Sequence, residues 1–120
     1  MREHPTLEFE RIERPVLGGV IYRLQGKLIG TRECYELLES VRGDVHDGVT
    51  PIAIDLSAVE RVTSPGIGII AACYSSLKRA NGRLVLLATP PHVRSLLELV
   101  CLWPLVEHVE TEQDLPRASG

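Results

Sequence analysis

The chain has 120 residues, 44% of them hydrophobic, with 13 Lys+Arg against 16 Asp+Glu and a formal net charge of -3. That length suits one domain around one core, and the scattered cations form no basic stripe of the kind that neutralises phosphates, which argues against nucleic acid as a direct partner. No apolar run approaches the roughly 20 residues that span a bilayer, and "MREHPTLEFE" is charged where a signal peptide is apolar, so a cytoplasmic protein without membrane insertion is expected.

Taken in chain order, Leu7 to Ile12 alternates Leu7 and Phe9 with Glu8 and Glu10, the pattern of a half-exposed strand. Arg14-Pro15 and Gly18-Gly19 interrupt it, and Val20 to Leu24 resumes as a second strand, making a hairpin. "GKLIGT" reads as a loop. Over residues 32 to 42, Cys34, Leu37, Leu38 and Val41 fall at i, i+3, i+4, i+7, which places one apolar stripe on a helix, and Gly43 is positioned to end it. In the polar stretch that follows, Asp44 and Asp47 are accounted for by solvation or turn formation.

"IAIDL", residues 52 to 56, is apolar enough for an interior strand. After "TSPG", Ile67, Ile70, Ala71, Tyr74 and Leu77 keep helical spacing, with Asn81-Gly82 closing the helix. "RLVLLA" is another interior strand. Val93, Leu96, Leu97 and Val100 then form one helical stripe, and a last strand runs from about Leu105 to Val109. Helices between buried strands are what parallel pairing requires. The expectation is an α/β fold, a single domain over residues 1–120, with a mixed, mostly parallel sheet, alternating helices and one antiparallel pair near the amino terminus.

Loops at the carboxyl ends of parallel strands are where sites are usually built, and the "TSPG" turn is one of them. Ser64 as N-cap with Pro65 at the first helical position is sound helix grammar. The same helix end, with free N–H groups and the positive dipole, also favours an anion, and a phosphoryl group on Ser64 or Thr63 would add about two negative charges there. Gly66 and Gly68 keep the first turn free of bulk, so that a partner's backbone can approach. Asp55, placed at the end of its strand, either orients these hydroxyls or caps the loop.

Other chemistry is not supported. His4, His46, His92 and His108 lack metal-ligand spacing, and no nucleophile–base pair, phosphate-binding glycine loop or dinucleotide fingerprint is present; no cofactor, metal or catalytic residue is expected. Cys34, Cys73 and Cys101 are far apart among apolar neighbours and read as buried small hydrophobes. Tyr22, Tyr35, Tyr74 and Trp103 are spaced as core or half-buried residues.

The succession "GKL", "IAIDLSAVERVTSPGIGII", "KRANGRLVLL" and "PPHVRSLLELVCLWPLVEHVETEQDLPRA" resembles the STAS domain in its bacterial anti-sigma factor antagonist branch, over residues 7 to 118. The resemblance implies a regulatory protein with no catalysis of its own. Such a protein is phosphorylated by a serine kinase that is also an anti-sigma factor, binds that kinase when unphosphorylated, and is reset by a phosphatase. Carried onto this chain, the partner-binding residues are Lys27, Ile29, Thr31, Asp55, Ser57, Thr63, Ser64, Pro65, Gly66, Ile67 and Gly68.

Two departures accompany the match. The family's acceptor serine directly precedes the turn glycine, a position held here by Pro65, which moves the acceptor role to Ser64 or Thr63 or removes phosphoregulation altogether. The family's Gly-Glu-Leu-Asp is Gly26-Lys27-Leu28-Ile29 in this chain, which alters the charges that select a partner. Cys101 stands where a glycine is common, read as a packing variation. The alternative class is a nucleotide- or lipid-binding or transporter-accessory STAS domain without phosphoregulation.

Overall fold

The computed structural model describes residues 5–15 and 18–117. The chain runs β1 (Leu7–Glu13), β2 (Val20–Leu28), α1 (Arg32–His46), β3 (Ile52–Val62), α2 (Ser64–Arg79), β4 (Leu84–Leu87), α3 (Pro91–Leu99) and β5 (Glu107–Val109), with short 3-10 turns at Trp103–Leu105 and Glu112–Asp114. The strands lie in the order β1-β2-β3-β4-β5; β1 and β2 are antiparallel and the remaining pairs parallel. This is the mixed, mostly parallel sheet expected from the alternation of apolar strands and amphipathic helices.

Strand alternation gives the sheet two faces. Val20, Tyr22, Leu24, Ile52, Ile54, Leu56, Leu84 and Leu86 point toward the helices and join Cys34, Leu37, Val41, Ile70, Cys73, Leu77, Val93 and Leu97 in the main core. Each side chain of leucine size buried there contributes about 1.5–3 kcal/mol. Ile21, Ala53, Val85 and Leu87 point the other way and form a smaller cluster with Leu115. The core thus sits mainly between the sheet and the helices.

Several boundaries differ from the sequence expectation. β2 continues past Leu24 to Leu28 and β3 past Leu56 to Val62, because residues 25–28 and 58–62 pair with each other through two register shifts. Gly26, read as a loop residue, lies inside β2 at φ +112, where a Cβ would stand 2.4 Å from the Thr6 carbonyl oxygen. Gly43 does not end α1; it sits in the helix facing open space, and the helix runs to His46, before Gly48 takes a positive φ of 78°. β5 begins at Glu107, and Val100 is exposed beyond the end of α3. Asn81 closes α2 as expected, with a left-handed backbone at φ 59°.

Asp44 is a correction of a different kind. It is not a loop residue but a buried member of α1, gripped by Arg11 through Nε to both carboxylate oxygens (3.1 and 3.0 Å) and through Nη2 at 2.7 Å. The Tyr22 hydroxyl also donates to Asp44 and lies 2.8 Å from the Ser40 hydroxyl. Burial pushes the Asp44 carboxyl up, but hydrogen bonds from Arg11 and Tyr22 and the Arg11 charge outweigh it and hold the group below its ordinary value. Burial, with the Asp44 contact next, pushes the Tyr22 phenol up to about 12. A buried charge survives in this core because it is paired and hydrogen-bonded.

Cys34 and Cys73 are buried as expected, whereas Cys101 is exposed at φ 63°, in the left-handed region where glycine is at ease. Tyr35 is likewise exposed rather than packed. His46, His92 and His108 lie at the surface, His108 stacked on Trp103 with ring centroids 3.8 Å apart; His4 lies outside the described residues. Among the described residues no helix is long and apolar enough to cross a membrane.

Candidate functional site

The site is the junction of two connections, residues 29–31 between β2 and α1 and residues 63–66 between β3 and α2. Extending β2 and β3 side by side brings both connections to the same end of the sheet. The Thr63 N–H donates to the Leu28 carbonyl at 3.2 Å, so the chain enters α2 pinned to the end of β2.

Two glycines close the gap. A Cβ on Gly66 would stand 1.8 Å from the Leu28 carbonyl oxygen, and a Cβ on Gly30, at φ +89, would stand 2.6 Å from the Pro65 Cβ. Gly66 is therefore required by the chain's own packing, whereas Gly68 faces open space. Gly66 and Ile67 are buried, so the surface of the turn is made by Ser64, Pro65 and Gly68.

The cap is shifted by one residue from the sequence expectation. Thr63, not Ser64, is the N-cap of α2, with extended backbone (φ -129°, ψ 172°); Ser64 is the first helical residue and Pro65 the second. Thr63 uses its carbonyl to accept from the Ile67 N–H at 2.9 Å, but its side chain makes no capping bond. The Thr63 hydroxyl oxygen is buried with no hydrogen-bond partner, while Ser64 is exposed. Since Pro65 carries no N–H, the first turn can offer an anion only the N–H groups of Ser64 and Gly66.

The neighbouring connection is held by hydroxyls. Thr31, the N-cap of α1, lies 2.6 Å from the Thr6 hydroxyl, and Thr6 donates to Glu33 at 2.9 Å. The Glu33 carboxyl is held below its usual value by its own backbone N–H, then by Thr31 and Thr6, a carboxylate at home in the first turn of a helix. Ile29 is half-buried and Lys27 exposed, and Lys27 stands in register with Arg61 across the ladder. Nothing in the local sequence marks Arg61; only the register of the ladder sets this second cation beside Lys27.

Asp55 and Ser57 are not brought to the turn. Thr63 follows Asp55 by eight residues of strand, a rise of roughly 25 Å. Asp55 is buried and both its oxygens are occupied: Oδ1 accepts from the Ser57 N–H at 2.9 Å and Oδ2 from Arg23 Nε at 3.1 Å. Asp55 thus neither orients the hydroxyls nor caps the loop before α2, since it lies within β3; it braces the middle of the sheet. A hollow of about 320 Å³ lies at the amino ends of the parallel strands, lined by Arg14, Gly19, Val20 and Thr50, away from Ser64.

With this geometry in hand, comparison with known proteins identifies the class. The STAS domain family model matches residues 8–115, and the chain belongs to that family. It is 27% identical over 82 residues to BtrV of Bordetella bronchiseptica, named as an anti-sigma factor antagonist, covering 68% of this chain and 70% of that protein. Among solved structures it is similar to an anti-sigma factor antagonist from Mycobacterium paratuberculosis (TM-score 0.75, 26% identity, covering 90% of this chain and 89% of that one). It also shares its fold with the Bacillus cell fate determinant SpoIIAA in the phosphorylated form (TM-score 0.71, 23% identity, 89% and 95% covered). The relatives are anti-sigma factor antagonists, and the fold is SpoIIAA-like.

Proposed function

We propose that this protein is a non-catalytic module of a partner-switching pathway, an anti-sigma factor antagonist that binds a kinase-type anti-sigma factor through the turn at Thr63–Gly68 and the end of β2 with the connection that follows it, Lys27–Thr31. Ser64 is its phosphoacceptor, and a phosphatase resets it. The observation that supports this most is the contrast within the turn: Ser64 is exposed at the first position of α2, beside the packed β2–α1 connection, while the Thr63 hydroxyl is shut away from solvent. A dianion added at Ser64 brings repulsion and a desolvation cost to a contact surface, enough to dissolve an interface of moderate size.

The test is affinity capture from the native cell with wild-type, Ser64→Ala and Ser64→Asp baits, read by quantitative mass spectrometry that also reports phosphate on residues 63 and 64. Ser64→Ala retains the kinase-type partner and Ser64→Asp loses it at least tenfold. Equal capture by the two variants removes phosphoregulation from the account. The competing reading, a nucleotide-binding domain, requires a thermal shift with nucleotide; a ligand at 100 times its Kd adds about 2.7 kcal/mol. The loss of a donor at Pro65 weighs against it.

A further inference from the structure

The two faces of the sheet are closed very differently. Three helices cover one. On the other, Ile21, Ala53, Val85 and Leu87 are buried, and among the described residues the one fully buried member of that cluster from outside the sheet is Leu115, with Ala88 packed at its border. Residues 110–114 and 117 around it are exposed.

Among the described residues, this segment is fastened at two points. Leu115 is inserted over the apolar floor, and Glu112 accepts from Arg23 Nη2 at 3.0 Å, in a pair whose side chains are 44% and 50% exposed. Its other hydrogen bonds among the described residues are internal: Asp114 N–H to the Thr111 carbonyl, Leu115 N–H to the Glu112 carbonyl, and the Thr111 hydroxyl to Asp114. Among the described residues, peeling it away lifts Leu115 off the apolar floor, breaks one solvent-screened ion pair and leaves the sheet ladder intact. Arg23 is also held by Asp55 through Nε at 3.1 Å, so the arginine at the edge of the face has an anchor besides Glu112.

We infer that residues 110–117 form a strap that opens from and closes over the second face of the sheet, latched by Leu115 and the Arg23–Glu112 pair, while the helical side stays folded. The opened face presents an apolar floor with an arginine at its edge, and what closes it is a leucine preceded three residues earlier by an acid. This inference is independent of the role proposed for Ser64.

The test uses the full chain and a glutamate-specific endoprotease under native conditions, following by intact mass the cut after Glu110 that releases the strap. The cut in wild type proceeds at a rate insensitive to urea below the unfolding transition, the signature of local opening. Leu115→Ala raises that rate about 30-fold, from the lost burial of one leucine. Glu112→Gln, a surface change that leaves the core untouched, raises it about two- to fivefold, an effect that salt near 1 M abolishes. If the wild-type cut instead follows the urea dependence of global unfolding, or neither substitution changes its rate, the strap is part of the cooperative fold and the inference is overturned.

Discussion

The turns into α2 and α3 both leave the carboxyl end of a parallel strand, and helix grammar builds them alike. Each carries a proline within the first two helical positions, lacks a side-chain cap, and contains a threonine whose buried hydroxyl has no partner, Thr63 in one and Thr89 in the other. The third helical residue is buried in both, Gly66 and Val93. The difference lies in what that residue meets. Gly66 lies against the Leu28 carbonyl and draws α2 onto the β2–α1 connection, leaving Ser64 exposed beside it; Val93 fills an apolar socket in the main core, and α3 has prolines, Pro90 and Pro91, at the cap and first helical positions where α2 has Thr63 and Ser64. A helix start becomes a candidate site through the loop packed beside it.

Substitutions at matched positions sharpen this contrast. The largest effect is expected for Gly66→Ala: a methyl 1.8 Å from a backbone oxygen has to separate the two connections, costing about 3 kcal/mol in urea unfolding and reducing partner capture even with Ser64 intact. Val93→Ala at the equivalent position of α3 costs about 2 kcal/mol through lost burial and leaves capture unchanged. Gly68→Ala, facing open space, stabilises by about 0.5–1 kcal/mol, because alanine is the better helix former. Smallest are Thr63→Val and Thr89→Val, which remove unpartnered buried hydroxyls and shift stability upward by less than about 1 kcal/mol. Equal costs at Gly66 and Val93 would erase the distinction between the turns.

Fold class, element order and the antiparallel start were legible because the apolar residues keep periods of 2 and 3.6. What was not legible depended on residues far apart in the chain. Asp44 reads as a loop acid until Arg11, 33 residues earlier, is seen to hold it. Gly26 reads as a strand break until the ladder carries β2 past it, and Gly43 as a helix stop although a glycine that contacts nothing only weakens the helix. At the site, Ser64 and Pro65 stand out in the sequence, but the cap lies one residue earlier, and Asp55 reads as close to the turn only while the apolar run 52–56 marks the whole strand.

The strand order β1-β2-β3-β4-β5 has a consequence for how this chain acquires its shape. Every strand lies next to its immediate predecessor, so none has to be threaded between two that already touch, and each crossover closes a modest loop. A nascent polypeptide leaving the ribosome can therefore lay the sheet down from one edge to the other, finishing with three residues, Glu107–Val109, at the far border.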